Sequence, residues 1–380
     1  MKSPLRLLAW LAGAGIVLLA LIEGGLWLAA PIAKRASHRI SFDNQIPGLK
    51  QEVSYVVDGR YLRHWQPSEG AATGGRPLKI LVLGGGATAA LLQDDADAWW
   101  GQLGAELQKE FPQARVEVSA LFREAAGALY GAKWAQENLP ALKPDIVIAA
   151  YGTDDIYLHN GDYTYNAQKL ATLDTQNATG GGLKNFVLNV SQIARRISNG
   201  RQKRSFSAKL GPLGERNAFA KLLARQRGMH AQLPLKYEVE RPEGRDPAAE
   251  YLDALQSIAA TAKASGAAFC VLGEPTLHRG LMGPAEERLV HRWFFAEPGK
   301  GDAGVARLDS GWVELELGRY LSQAEKWCES GQIPFLDPLR KMPPSAEVFV
   351  DDVMLTDTGA TLYARLALPL VKPLAQAKLQ

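Results

Sequence analysis

Several side chains in this 380-residue sequence have the types and spacing to act together in chemistry. Thr88 follows the apolar run 79–83, Asp154 and Asp155 follow the run 145–150, and His278 follows the run 267–273; Asp351 and Asp352 are adjacent further on. A hydroxyl beside a base is a nucleophile, and histidine is the commonest base. Converging carboxylates instead suit a divalent cation or a protonated amine. Simpler roles compete with these. Asp155, Asp351 and Asp352 also fit helix caps and turns, and His159, His278 and His291 also fit loop or surface positions without a nucleophile. The turn Gly84-x-Gly86-x-x-Ala89 loosely fits a dinucleotide-binding fingerprint, but Ser119 and Leu121 stand where the ribose-binding acid is needed. No cofactor and no metal is expected.

These residues can meet only if the elements before them lie side by side. Apolar runs at 79–83, 115–121, 145–150, 267–273 and 333–336 read as short buried strands, with a further strand signal at 53–57. Helical patterns lie between them at 98–110, 125–138, 248–265 and 312–330, and a last one at 358–366. Alternation of near-continuous apolar strands with helices indicates a parallel sheet covered on both faces. Ligands of such sheets bind beyond the carboxyl ends of the strands, where Thr88, Asp154, Asp155 and His278 fall.

Three segments carry a resemblance: ILVLGGGATAA at 80–90, YGTDDIY at 151–157 and FVDDVMLTDTGATLYA at 349–364. They are similar to the recognisable blocks of the SGNH (GDSL-type) hydrolases, in order and at suitable strand ends. The resemblance covers roughly residues 78–366. It implies an α/β fold: a flavodoxin-like three-layer α/β/α sandwich with a parallel sheet. It also implies where catalytic groups would stand, and there the chain departs from the pattern. The nucleophilic Ser, often within Gly-Gly-Ser-Thr-Thr, falls on Gly86, which has no side chain to acylate. The oxyanion-hole Gly falls on Leu121. The Asn of Gly-x-Asn-Asp falls on Asp154, whose charge about 3 Å from an oxyanion would repel it by several kcal/mol. The His of Asp-x-x-His falls on Met354, which cannot take a proton, although Asp351 is retained.

The N-terminus reads as a membrane anchor. Residues 7–33 are apolar apart from Glu23, a run of about 27 residues and roughly 40 Å of helix. A cleaved leader would need a shorter apolar core and a small-x-small site, which Pro31 spoils after Ala30. Glu23 inside the span is costly and fits either a contact with another membrane subunit or a protonated carboxyl in a lone helix. Positive charges flank both ends, so charge scarcely chooses an orientation. The resemblance to anchored family members implies a bacterial-type inner membrane with the domain outside the cytoplasm.

Charge is otherwise balanced. The net charge is +3, but residues 1–40 hold five Lys/Arg and one Glu, leaving 38 basic and 39 acidic side chains in the rest. No nucleic-acid footprint follows. An insertion at 164–245 is the exception: from Arg195 to Arg227 it holds ten Lys/Arg, among them Arg195, Arg196, Arg201, Lys203 and Arg204, against the single acid Glu215. It fits a grip on an anionic ligand, lipid headgroups or an acidic partner, or a solvated pair of helices. Cys270 and Cys328 read as buried free thiols or as one disulfide.

The expected organisation is an anchor at 1–35, a lead-in at 36–77, the main domain at 78–372 and a tail at 373–380. The expected role is a catalytically inactive, membrane-tethered binding or assembly subunit, partnered by other membrane proteins. Two alternatives stand beside it. One is an ester hydrolase or O-acyltransferase with a site rebuilt around Thr88, Asp155, Asp352 or His278. The other is a non-catalytic binder of envelope glycan or lipid.

Overall fold

The computed structural model describes residues 36–41, 48–50, 52–67, 76–123, 127–159, 231–239, 244–290, 294–295 and 305–380. The expected anchor with Glu23, the basic residues Arg195, Arg196, Arg201, Lys203 and Arg204, and His291 lie outside the described residues. Among the described residues, no helix is long and apolar enough to cross a membrane.

The strands are β1 (Ala36–Ser41), β2 (Glu52–Val57), β3 (Leu62–Trp65), β4 (Pro77–Gly84), β5 (Arg115–Leu121), β6 (Ile146–Tyr151), β7 (Leu235–Lys236), β8 (Ala268–Gly273), β9 (Phe294–Phe295), β10 (Val305–Leu308) and β11 (Phe335–Leu336). The helices are α1 (Gly86–Ala89), α2 (Trp99–Glu110), α3 (Ala128–Leu142), α4 (Thr153–His159), α5 (Pro247–Ala264), α6 (Pro284–Glu287), α7 (Ser310–Ser330) and α8 (Asp357–Leu379). The central sheet has the order β11-β8-β6-β4-β5-β3. Its first five members are parallel, and β3 runs antiparallel to β5 at the edge, so the sheet is not wholly parallel as expected. Counted in chain order, the parallel strands follow the flavodoxin-like order 2-1-3-4-5.

Alternation along each strand sends residues to opposite faces. Ile80, Val82, Ile146, Ile148, Cys270 and Leu272 pack under α2 and α8. Leu81, Leu83, Val147, Ala149, Tyr151 and Val271 pack under α3, α5 and α7. Burial on both faces explains why these strands read as continuous apolar runs. Cys270 and Cys328 are buried free thiols.

Caps set where the major helices begin. Asp246 accepts from the Ala248 N–H at 3.1 Å at the start of α5, with Pro247 in the first turn. Asp309 accepts from the Trp312 N–H at 3.0 Å ahead of α7. Thr356 accepts from the Gly359 N–H at 3.0 Å ahead of α8. That last helix does not stop near residue 366 but runs on to Leu379, through Pro369 and Pro373.

Candidate functional site

Three strand ends converge. Gly84 at the end of β4 pairs with Ala150, and Tyr151 at the end of β6 pairs with Gly273 at the end of β8. This register brings together Gly85–Thr88, Gly152–Asp155 and Glu274–His278. Position 86 is a buried glycine, and its N–H donates to Asp154 Oδ2 at 2.9 Å. The Ala87 N–H donates to Glu274 Oε1 at 3.3 Å, and the Asp154 N–H to Glu274 Oε2 at 3.1 Å. Both carboxyl groups thus lie under the β4–α1 turn. Gly85 makes room for them: a Cβ there would overlap Asp154 Oδ2 and stand 2.7 Å from Glu274 Oε1. Gly152 adopts φ +157, and a Cβ there would stand 2.8 Å from Leu317 Cδ1.

Glu274 is the residue the sequence reading passed over. It is wholly buried, and burial pushes its pKa up to about 8, although the amides of Ala87, Thr153 and Gly86 oppose the shift. The charge of Asp351 adds to the rise. Asp155 is also wholly buried, and burial drives its pKa well above the carboxylate range despite the Ala128 N–H donating to its Oδ1 at 2.7 Å. That bond satisfies an amide at the start of α3, the capping role considered from sequence. Nothing but three-dimensional adjacency of the β4, β6 and β8 ends marks Glu274, since it lies far along the chain from Gly86.

The other positions named from the resemblance lie as follows. Leu121 is buried in β5 beneath α3, paired with Leu62 across the sheet edge. Met354 is half-buried against a small apolar cluster containing Val53, Tyr55 and Val350. Asp351 Oδ1 accepts from the Val353 and Met354 N–H groups at 2.9 and 2.7 Å, tying its own turn. Thr88 is buried; its carbonyl accepts from Trp100 Nε1 at 3.0 Å, and its hydroxyl has no hydrogen-bond partner among the described residues. The turn after α1 is held by Arg63, also unremarked in the sequence. Its Nη1 donates to the Ala89 and Ala90 carbonyls at 2.8 and 2.7 Å, its Nη2 to the Gln93 carbonyl at 2.6 Å, and its Nε pairs with Asp95 at 2.8 Å. The guanidinium also stacks on Tyr55, 3.8 Å from the ring centre.

His278 lies on the loop after β8, within the surface or loop placement expected of it, but its side chain is wholly buried. Nδ1 lies 2.9 Å from Ser310 Oγ, and Nε2 lies 3.1 Å from Asp352 Oδ1 and 3.0 Å from the Tyr157 hydroxyl. Asp352 is therefore turned toward a histidine and does not serve only as a turn residue. Tyr157 is held neutral, its pKa driven well above its usual value by burial and by the charge of Asp352. Among the described residues, no three His, Cys, Asp or Glu side chains are grouped so as to hold a metal ion.

No protein-family model and no curated protein matches the sequence. Solved structures do. The chain is similar to an α/β hydrolase enzyme from the metagenome of Lake Arreo, Spain, at 13% identity and TM-score 0.40, over 81% of this chain and 98% of that one. It is also similar to a catalytic mutant of an acetylxylan esterase from Geobacillus stearothermophilus, at 13% identity and TM-score 0.40 over 78% and 95% of the two chains. A GDSL-like lipase from Bacteroides thetaiotaomicron is similar at 10% identity and TM-score 0.35, over 79% and 89%. Likenesses this distant say nothing of the chemistry, and the flavodoxin-like order stands on the strand registers alone.

Proposed function

We propose that the chain is an SGNH-hydrolase-like protein that no longer runs acyl-enzyme chemistry at the position of the family nucleophile, and that it serves as a membrane-tethered binding or assembly subunit. One observation carries the silence of that site. The Gly86 amide, at the position where the resemblance puts the serine, and the Ala87 amide next to it already donate to internal carboxyl groups. An oxyanion hole works because its donors are free and preorganised for the transition state. Here an anion of the protein's own competes for them. Gly86 offers no nucleophile and Met354 no base. Support for the subunit role comes from the retained scaffold, the carboxyl of Glu23 in the apolar N-terminal run, and the basic stretch around Arg195–Arg204.

The test is purification of the native protein from its own membranes in mild detergent, followed by mass spectrometry of what stays bound. A stoichiometric membrane protein that is lost in Glu23→Ala, or after Arg195, Arg196, Arg201, Lys203 and Arg204 are replaced by Gln, is the expected result. A lone protein under several detergents would overturn the subunit role.

A further inference from the structure

The internal carboxyl groups occupy only the amides of the β4–α1 turn. A different set of groups stands on the loop after β8, at the first residue of α7 and on the turn before α8. We propose that Ser310 is a nucleophile activated by His278 and Asp352, and that the chain hydrolyses small acyl esters at this second position.

The geometry is that of a nucleophile, a base and a group that orients the base. Ser310 Oγ lies 2.9 Å from His278 Nδ1, and Asp352 Oδ1 lies 3.1 Å from Nε2. Both distances are in hydrogen-bond range for this chemistry. A carboxylate against Nε2 places the ring proton on that nitrogen, which leaves Nδ1 as the acceptor facing the hydroxyl. The ring cannot drift, because the two loops are stitched together. The Leu277 N–H and the Thr276 hydroxyl both donate to the Asp352 carbonyl, at 2.9 and 3.0 Å, and the His278 N–H donates to Thr276 Oγ1 at 3.3 Å.

Access and charge fit a substrate on one side only. His278 and Asp352 are wholly buried, whereas Ser310 is partly exposed. Ser310 opens the 21-residue α7, whose cap Asp309 takes the Trp312 amide. The Gly311 N–H belongs to the first turn, where amides lack partners within the helix and the dipole favours negative charge. We assign it as the donor to an oxyanion formed at Ser310. Gly311 packs close against Gly280 and its own cap, since a Cβ would stand 3.1 Å from both Gly280 Cα and Asp309 Oδ1. Asp309 and Glu314 flank the position, with Glu314 accepting from the Gly280 N–H at 2.7 Å and paired with Arg279 at 3.5 Å.

The steps balance. Ser310 Oγ attacks the ester carbonyl carbon as its proton passes to His278 Nδ1. The carbon–oxygen bond to the leaving alcohol then breaks, and the alcohol departs with that proton, leaving an acyl-serine. Water attacks the same carbon, gives a proton to Nδ1, and the acid leaves as that proton returns to Ser310 Oγ. Asp352 and Tyr157 act through the ring as positioning residues.

The experiment uses the full chain in detergent, treated with a fluorophosphonate and mapped by peptide mass spectrometry, alongside hydrolysis of p-nitrophenyl acetate. The expected result is phosphonylation of Ser310 and turnover that disappears in Ser310→Ala. Asp352→Asn should lower kcat by roughly 100-fold with KM unmoved, a split that mere loosening of the loop would not produce. Mapping on the unaltered protein keeps the test valid even where a variant folds poorly. An unlabelled Ser310 in folded protein, or a label on Thr88 or another hydroxyl instead, would overturn the proposal. Labelling at Ser310 and capture of a membrane partner are independent readouts.

Discussion

An amide that donates to a carboxyl group of its own chain is not free to receive a transition-state oxygen. At the end of β4 this holds for Gly86 and Ala87 together, so supplying a hydroxyl and an imidazole there should create no activity. Gly86→Ser, made in a Ser310→Ala background with Met354→His, is expected to give no turnover of p-nitrophenyl acetate above that background. A gain of about tenfold or more would show that the Asp154 and Glu274 carboxyl groups yield their amides to substrate. At this scale the sequence was legible wherever a residue type alone decides. A glycine cannot be acylated and a methionine cannot take a proton, whatever surrounds them. It was illegible for Glu274, Ser310 and Arg63, whose meaning lies in partners far along the chain. Ser310 meets His278 across two short strands, and Arg63 meets the turn after α1 from a strand that precedes it.

The elements obey a different logic. β4, β5, β6 and β8 were legible because sheets covered on both faces need apolar residues at nearly every position. β3 was not: its four residues LRHW include a buried arginine, and its antiparallel place at the edge depends on pairing with β5. The length of α8 was obscured by Pro369 and Pro373, which read as helix stops. Tertiary contacts override them. Trp99 of α2 stacks edge-on against Tyr363 of α8, with ring centres 4.7 Å apart. The Tyr363 hydroxyl donates to the Gly273 carbonyl at 2.6 Å, so this helix pair also fixes the strand end that carries Glu274. Trp99→Ala should therefore lower unfolding free energy by about 3–5 kcal/mol in urea titration. A loss under about 1 kcal/mol would mean that the α2–α8 layer does not depend on this contact.

For the molecule as a whole, the buried acids under the strand ends set an unusual dependence on pH. The folded state holds the Glu274 proton until pH about 8, whereas the unfolded chain releases it near the ordinary glutamate pKa of about 4.3. Between those values the folded state binds more protons than the unfolded state, so stability falls as pH rises through the window and levels off above it. Asp155, raised by the same burial, adds to the fall. The acid side is governed by groups of the opposite sign. Asp246 is lowered by its hydrogen bond to Arg319, and its contribution is present above the ordinary aspartate pKa and lost as pH drops through the lowered value. The whole protein should thus be most stable near pH 4–5 and lose stability toward pH 8, by several kcal/mol at most given about 1.4 kcal/mol per pH unit per proton. Thermal melts from pH 4 to 9 measure the slope, and Glu274→Gln, which carries no proton to lose, should flatten it. An unchanged slope in that variant would place the linkage elsewhere, with Asp155 the next group to test. A flattened slope would mean that the carboxyl groups under the β4–α1 turn are held there at a cost to the fold that grows with pH, which ties the stability of the whole sandwich to the protonation of one buried residue at its strand ends.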